Sequence, residues 1–423
     1  MDRQKLRTLR TVAAGSFITL LIAACGGSSG TSGNKSPVVM AVTAPLTGAY
    51  AVDGTPILEG SKTAQYVINQ AGGILGRHLQ LDETDTVGDP GDAVPAVNKE
   101  LATGNPVALI GPVTLSIHAI EPIFDRAQIV DGWNGGSSQF DKQTDKWLFR
   151  CNASDSELGI AMAQYAIEKG YKTAAMFMSN SVTVQTLEPV IANAYKALGG
   201  TMLGTIGITP VQTNYLTEVQ KAVALKPDVF FTQMEPGTAS VAFKDFQQVN
   251  GLAIPFIGTD LESGSDFIKA VGPAAAAAHM TAIAGSNALT PGAGAAYGAA
   301  YQKVNGHLPQ GGSGYAFDCA IVFALAMTKA NSTDPKVWVN DILKVSNPPG
   351  TKVGLYKDAV AAIKAGKKID YDGASGPMDF NQYHNVSGAW DVIVATGTAD
   401  ASTKTIETIP ASTIQKVINK MGS

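Results

Sequence analysis

The chain has 423 residues, with 31 Lys and Arg against 35 Asp and Glu and a formal net charge of −4 at pH 7. This acidic balance argues against nucleic-acid binding, which needs a cluster of basic side chains. Three cysteines in a chain of this length exclude a disulfide scaffold, and their positions lack the spacing of a zinc site. The length suffices for two or three domains of ordinary size.

The first 24 residues have the pattern of a secretory signal peptide. Four basic residues lie within the first ten positions, and residues 12–24 contain no charged side chain. This run is shorter than the ~20 apolar residues that a membrane-spanning helix needs. It ends in Ile22-Ala23-Ala24-Cys25, which resembles the bacterial lipobox, in which the cysteine is diacylated and becomes the first mature residue. We therefore expect Cys25 to anchor the protein in the membrane.

Residues 25–36 follow as a flexible tether, because Gly and Ser stretches bury no apolar surface. A G-x-S-x-G pattern within it lacks the strand and helix of a nucleophile elbow. Removal of residues 1–24 takes away four basic residues and one acidic residue, so 27 basic and 34 acidic residues remain, a net charge of −7. No later segment of the sequence is long and apolar enough to cross a membrane, which predicts that the rest lies on the extracytoplasmic face.

Short apolar runs alternate with helix-like stretches from Val38 onward. The run at 38–44 precedes helical spacing over 54–69, which Gly72-Gly73 ends. A strand-like run at 79–85, a helix-like stretch at 92–101 and a strand-like run at 106–112 come next. Strands without polar alternation, each followed by a helix, predict parallel sheets covered on both faces.

The alternation resumes after a break near residues 148–150. Apolar runs at 173–178, 228–233 and 254–260 are separated by helical spacing over 187–197 and 239–249. These strand–helix units are too many for a single sheet of ordinary size, so the sequence predicts two doubly wound α/β domains.

A series of short motifs runs in order through residues 38–385. They are Ala44-Pro45-Leu46-Thr47-Gly48, Ile68-Asn69 with Gly72-Gly73-Ile74, Asp89-Pro90, Ile110-Gly111-Pro112, Phe149-Arg150 with Ser154-Asp155, Pro227-Asp228-Val229, Tyr315-Ala316-Phe317-Asp318, and Gly373 with Gly376-Pro377. Together they resemble the branched-chain amino-acid-binding type of periplasmic binding protein. The resemblance implies the type I fold, with two doubly wound parallel-sheet lobes and a hinge that the chain crosses three times.

The resemblance also places the lobes in the sequence. The hinge crossings fall near 150–153, 278–282 and 373–377. One lobe would contain residues 37–151 plus 282–372, and the other would contain residues 152–281 plus 376–423.

Ligands of open α/β sheets bind outside the carboxyl ends of strands, where helix N-termini present N–H groups. The strand at 106–112 ends before such a helix start, Thr114-Leu115-Ser116, and a carboxylate is favoured there. The resemblance implies that the Leu115 N–H group, the Ser116 hydroxyl and the loop containing Gly136 and Ser138 hold the ligand's carboxylate. For the two serines, ordinary helix caps are the alternative.

Asp260 ends the strand at 254–260 and matches the family's acid that pairs with an α-ammonium group. Its alternative role is to cap the next helix. The resemblance matches Asp53, Thr183 and Met234 to family aromatics that pack on the ligand, so these aromatics are absent here. Trp133 either replaces them as an aromatic wall of the ligand pocket or packs in the core of the lobe.

The predicted cleft contains three acidic residues, Asp53, Glu235 and Asp260. Such a pocket is more acidic than a leucine site needs. It favours a small zwitterion, or a solute with an extra cationic or amide group, over a large aliphatic ligand.

The five histidines are isolated, and the sequence has no H-E-x-x-H, P-loop or G-x-G-x-x-G pattern. We therefore predict no enzymatic activity, no metal and no cofactor. The predicted function is a monomeric extracytoplasmic lipoprotein that captures a small polar, amino-acid-like or amide solute for an ABC permease. The alternative is a ligand-sensing receptor that presents its closed form to a membrane signalling partner. Whether Cys151 and Cys319 pair depends on a distance that the sequence does not contain.

Overall fold

The computed structural model describes residues 36–48, 50–180, 182–286 and 290–422, without the side chains of residues 182–185. The predicted signal peptide, Cys25 and nearly all of the tether lie outside the described residues.

A five-stranded parallel sheet in the order β2-β1-β3-β4-β5 forms the centre of the first lobe. Its strands are β1 Val38–Ala44, β2 Leu79–Asp85, β3 Ala108–Ile110, β4 Val130–Trp133 and β5 Leu148–Arg150. Alternate residues of β1 enter different cores: Val38, Met40 and Val42 face one side of the sheet, and Ala41 faces the other. Helices therefore cover both faces, as apolar parallel strands require.

A seven-stranded sheet in the order β14-β13-β10-β9-β8-β6-β7 forms the centre of the second lobe. Its parallel part consists of β6 Thr173–Ser179, β7 Thr201–Ile208, β8 Val229–Gln233, β9 Phe256–Gly258 and β10 Met280–Gly285. The short strands β11 Thr351–Val353 and β12 Ile369–Tyr371 pair separately. The strands β13 Trp390–Ala395 and β14 Thr403–Ile409 then complete the large sheet in antiparallel fashion.

Helices follow most of the strands. Those before the first passage between the lobes are α1 Ala51–Gln70, α2 Pro90–Thr103 and α3 Thr114–Ala127. The second lobe continues with α4 Asp155–Glu168, α5 Val182–Ala197, α6 Leu216–Ala224, α7 Pro236–Gln248, α8 Ser265–Val271 and α9 Pro273–His279. The remaining helices are α10 Ala293–Asn305, α11 Ser313–Ala330, α12 Pro335–Trp338, α13 Ile342–Ser346, α14 Tyr356–Lys364 and α15 Ala411–Met421.

The chain passes between the lobes at three places, which we call the first, second and third passages. The first passage consists of residues 151–154, between β5 and α4. The second follows Gly285, because all of β10 belongs to the second sheet. The third lies between Val386, in a first-lobe core, and Trp390, in a second-lobe core. The second and third passages therefore come later than the predicted 278–282 and 373–377, so residues 282–285 belong to the second lobe and residues 376–386 to the first.

The glycines at 373 and 376 form a turn inside the first lobe. Gly376 has a φ of 119°, and the Gly373 N–H donates to its carbonyl at 2.8 Å. The N–H groups of Ala374 and Ser375 donate to the carboxylate of Asp318 at 3.0 and 2.7 Å. A Cβ on Gly373 would lie 2.2 Å from that carboxylate. These glycines therefore let the backbone wrap around a buried acid inside the first lobe, before the third passage.

Cys151 and Cys319 form a disulfide between the first passage and α11, with their Cα atoms 5.7 Å apart. Both residues are buried. A Cβ on Gly132 would lie 2.1 Å from the Cys319 Sγ atom, so glycine at this position of β4 makes room for the bridge. The pairing that the sequence left open is thus present in the fold.

Asp131 is a buried carboxyl group in β4. Its side chain has no exposed surface, and neither carboxyl oxygen has a hydrogen-bond partner among the described residues. Burial, followed by the negative charge of Asp145, raises the pKa of Asp131 well above its usual value. The folded protein therefore favours the protonated form, since an unpaired buried charge is costly.

We expect Asp131→Asn to gain stability relative to the unsubstituted protein as the pH rises above about 4. The raised pKa means that the unfolded chain loses this proton first, so the unsubstituted protein loses ~1.4 kcal/mol per pH unit until the folded pKa is reached. Urea unfolding of both proteins between pH 4 and 8 measures the difference. A difference that does not change with pH would contradict this explanation.

Asp228 provides a control, because its pKa is lowered whereas that of Asp131 is raised. Its carboxylate accepts hydrogen bonds from the N–H groups of Thr173 and Lys172, at 2.9 Å each, and these bonds lower its pKa. Its charged form is the stabilising one, so stability is lost as the pH falls through the lowered pKa. Asp228→Asn should therefore lose stability relative to the unsubstituted protein as the pH rises towards 4, and no further above it.

Candidate functional site

The N-terminus of α3 follows the carboxyl end of β3 in the first lobe, where the sequence predicts the ligand. This helix begins at Thr114 after Val113, whose side chain provides no cap. Among the described residues, none accepts a hydrogen bond from the N–H groups of Thr114 and Leu115. Free donors and the partial positive charge of a helix N-terminus favour an anion. The Leu115 side chain packs against a first-lobe core. Its backbone N–H, and not its side chain, is therefore the group available to a ligand.

The loop after β4 packs against two helix starts. A Cβ on Gly135 would lie 2.7 Å from the Thr114 nitrogen, and a Cβ on Gly136 would lie 1.8 Å from the Asp155 Oδ1 atom. The Gly136 carbonyl accepts the Asp155 N–H at 2.7 Å and so joins the first lobe to the first turn of α4. Ser138 opens the 3₁₀ turn Ser138–Phe140, is partly exposed, and has no side-chain hydrogen bond to a described residue.

Three residues that the sequence placed at the cleft are fully buried. The Ser116 hydroxyl turns back to the Val113 carbonyl at 3.4 Å, as in an ordinary helix start. Trp133 packs on Phe140 at 5.0 Å between ring centroids, which is the core alternative. The Met234 side chain lies in a second-lobe core. These side chains therefore do not form the cleft surface.

Thr183 belongs to α5, but its side chain is outside the described part of the chain. The lipidation site Cys25 also lies outside it. Glu235 accepts a hydrogen bond from the Ser179 hydroxyl at 2.7 Å, so part of its carboxylate is already engaged.

Asp260 begins the 3₁₀ turn Asp260–Ser263 immediately after β9 and Thr259. The cap of this turn is Thr259, which forms a capping box with Glu262, so the carboxylate of Asp260 is not the cap. By accessible surface Asp260 is exposed, although protein atoms surround its carboxylate closely enough to remove much of its hydration. This burial raises the pKa of Asp260, against the opposing effect of the N–H groups of Asp260 and Leu261.

Asp53, Asp155 and Asp260 form an acidic cluster, by which we mean these three carboxylates. Asp53 belongs to the first lobe, and the other two belong to the second. Burial raises the pKa of Asp53, and the charge of Asp260 raises it further. Burial raises the pKa of Asp155 to about 7, with Asp260 adding to the effect and Arg150 opposing it. The cluster therefore couples acids of both lobes through Asp260 and favours a cation near them.

Asp155 is the member that sequence reasoning did not assign to the site. In the sequence, Asp155 stands out only as part of the motif Ser154-Asp155. Its position beside Asp260 results from the first passage, which brings the start of α4 under the loop after β4.

A buried ion pair fixes the start of α4 against the first lobe. Arg150 has no exposed surface and donates to the Asp141 carboxylate at 2.8 Å. Asp141 also accepts hydrogen bonds from the hydroxyls of Ser154 and Ser156, at 2.5 and 2.6 Å. Ser154 is the N-cap of α4, and Ser156 lies in its first turn. The pair thus positions the helix that carries Asp155.

Within the described ranges, no group of three or more His, Cys, Asp or Glu side chains is arranged to hold a metal ion. Among the described helices, none combines the length and apolarity needed to cross a membrane.

The comparison with known families now decides the class of protein. A sequence model described as periplasmic binding protein matches residues 37–399. The chain belongs to the periplasmic binding protein family. Membership implies solute binding and an extracytoplasmic location. The related proteins are binding proteins and not enzymes.

Two curated relatives match shorter segments. The Leu/Ile/Val-binding protein BraC3 of Rhizobium johnstonii is 38% identical over 80 residues, which are 19% of this chain and 22% of the relative. An amino acid binding protein of Pseudomonas aeruginosa is 30% identical over 133 residues, 31% of this chain and 35% of the relative. The alignments thus span about a fifth to a third of these relatives' length.

Solved structures resemble the whole fold. The leucine-binding protein LivK of Thermotoga maritima has a TM-score of 0.71 and 19% identity, covering 88% of this chain and 99% of that chain. A substrate-binding protein of Desulfitobacterium hafniense, in complex with Leu, has a TM-score of 0.68 and 17% identity, covering 88% and 100%. At these identities the likeness shows the fold, and the predicted α/β class of the type I binding proteins is confirmed.

We expect Asp141→Asn to destabilise the protein by about 2–3 kcal/mol, because the buried Arg150 guanidinium loses its counter-charge. The matched control is Asp341→Asn, which removes the exposed pair with Lys344 and should cost at most about 1 kcal/mol. Urea unfolding of the three proteins measures both effects. Equal, small losses in the two variants would show that the buried pair does not hold α4.

Proposed function

We propose that this protein captures a small solute with a positively charged group, of amino-acid or amide type, between its lobes and delivers it to an ABC importer. The observation that carries the proposal is the acidic cluster. In it, the negative charge of Asp260 in one lobe raises the pKa of Asp53 in the other. The predicted contribution of Asp260 remains the central element of the site.

The raised pKa values explain why a cation binds there. Three neighbouring carboxylates cannot all ionise without mutual repulsion, and partial burial adds to the cost. A ligand ammonium group supplies the missing positive charge and favours the ionised carboxylates. Asp155, whose pKa is about 7, would release its proton as the cation binds, so affinity should increase with pH near neutrality.

The negative end of a zwitterion is accommodated by the first lobe. The free N–H groups of Thr114 and Leu115 lie at the start of α3, and Ser138 follows in the neighbouring loop. Backbone donors at a helix N-terminus need no side-chain charge to bind a carboxylate. The Ser116 hydroxyl, turned towards its own helix, has a structural role in this proposal.

Ligand binding and lobe closure are coupled because the charges lie on different lobes. A ligand that contacts Asp260 and the α3 start at once binds best when the lobes are close, so it favours the closed form. The passages contain small residues, and a Cβ on Gly388 would lie 2.9 Å from the Ala153 Cβ atom. The importer would then receive a closed, loaded protein, which agrees with the substrate-binding proteins that share this fold.

The first step in testing the site is a thermal-shift screen of amino acids, amides, polyamines and small carboxylates. For the best compound, Asp260→Asn should weaken binding by roughly ten- to a hundredfold, because a charge-assisted hydrogen bond contributes ~1.5–3 kcal/mol. Ser138→Ala should cost less, about 1 kcal/mol. Calorimetric titration measures both effects.

The matched control is Asp266→Asn, an exposed acid in the first turn of α8 in the same lobe. It should leave affinity unchanged. Unsubstituted affinity in Asp260→Asn, or equal binding of an analogue without the cationic group, would remove Asp260 from the site.

We also propose that Cys25 carries the lipid anchor, supported by Ile22-Ala23-Ala24-Cys25 and the Gly/Ser tether. Cys25→Ala should move the protein from the membrane fraction to the soluble or uncleaved fraction. Mass spectrometry of the mature N-terminal peptide checks the acyl groups directly. A mature protein that begins elsewhere, or without acyl groups, contradicts the proposal.

A further inference from the structure

A cavity of about 270 Å³ lies in the first lobe beside the N-terminus of α11. Its walls come from α10, the loop between α10 and α11, and the turn at residues 374–375. Small-molecule sites in proteins begin at ~300 Å³, and apolar cavities of ~150 Å³ bind benzene. The cavity is therefore large enough for one ring with a substituent. None of the residues that line it belongs to the cleft site above.

Hydrogen bonds hold the wall of this cavity in place. The Ser313 hydroxyl accepts a hydrogen bond from the Tyr297 hydroxyl at 2.7 Å and donates to the Gln310 carbonyl at 2.5 Å. A Cβ on Gly60 would lie 2.0 Å from the Ser313 carbonyl oxygen, so α1 supports the wall from behind. The cavity is thus preformed and does not depend on an occupant.

The described residues that line the cavity include no Asp, Glu, Lys, Arg or His. Apolar surface comes from Tyr297, Leu308, Pro309 and Ala374, and Leu308 is 71% exposed. The acids behind the wall, Asp318 and Asp391, already accept hydrogen bonds from the lining residues Ser375 and Ser286. An ionised ligand would therefore meet no charged group in the wall itself, which is unfavourable in a partly buried site. This lining therefore favours an uncharged molecule, in contrast to the acidic cluster.

Tyr315 supplies a hydrogen-bond donor to the same cavity. Its hydroxyl has no hydrogen-bond partner among the described residues, and burial raises its pKa, so it stays protonated. Cβ atoms on Gly285 and Gly388 would lie 3.1 and 3.9 Å from this hydroxyl. The donor is therefore next to the second and third passages.

We propose that this cavity is a second binding site, separate from the cleft, for a small uncharged molecule. Its ligand has an aromatic or branched aliphatic body and a carbonyl or amide oxygen that accepts a hydrogen bond from Tyr315. Because Ser286 of the second passage also lines the cavity, an occupant contacts both the first lobe and the hinge.

The probe for this site is 4-fluorobenzamide, titrated against the full chain and followed by fluorine NMR. Saturable binding is expected, with 4-fluorobenzoate and 4-fluorobenzylammonium about tenfold weaker or more, because both carry a charge. Tyr315→Phe should weaken 4-fluorobenzamide binding about fivefold through loss of one hydrogen bond. Gly314→Leu should abolish it, since a Cβ there makes only ordinary contact, at 3.5 Å from the Ser375 Cβ atom, and the longer side chain fills the cavity.

Tyr66→Phe is the matched control, because it removes a hydroxyl from a tyrosine that lies on α1 under Lys303 and outside the cavity. It should keep the unsubstituted affinity. If Gly314→Leu fails to fold, Tyr315→Phe still decides. Absence of saturable binding, tighter binding of either charged probe, or unchanged affinity in Tyr315→Phe overturns the proposal, and none of these outcomes depends on what the cleft binds.

Discussion

The position of the two lobes depends on one buried cation, the guanidinium of Arg150. It lies at the end of β5, 4.8 Å from the centre of the Trp133 ring, and donates to the Ser137 carbonyl at 2.9 Å. Burying an unpaired charge costs several kcal/mol, and Asp141 offsets this cost through charge and hydrogen bonding. Because the same Asp141 binds the first turn of α4, the first helix of the second lobe is placed by a contact inside the first.

Glu157, in the same first turn of α4, makes the corresponding contact with the third passage. Its carboxylate accepts the Ser387 hydroxyl at 2.7 Å and the Gly388 N–H at 3.1 Å. Burial raises the pKa of Glu157 to about 7. One end of one helix therefore contacts two of the three passages through polar groups. Hydrogen bonds of this kind define the hinge position more strictly than apolar packing does, since each needs a particular geometry.

The acidic cluster links this architecture to the proposed capture of a ligand. The Arg150 pair positions Asp155, and the cap of the turn that begins at Asp260 is Thr259 with Glu262, so the Asp260 carboxylate is not used as a cap. Without a cation, the clustered carboxylates are unfavourable and hold protons at higher pH than usual. Under the proposed function, the empty site is therefore less stable, and a cationic ligand group restores stability on binding. The preformed cavity beside α11 differs in chemistry because no charged described residue lines it.

The sequence by itself determined the fold class, because parallel strands buried on both faces leave apolar runs that alternate with helices. It also placed Asp260 at a strand end, since strand ends follow from the same pattern. Only the tertiary structure decided that Asp155 is close to Asp260, that Trp133 is buried, and that the turn at Gly373 encloses Asp318 instead of passing between the lobes. Each of these depends on contacts between residues far apart in the chain, and a local pattern carries no information about such contacts.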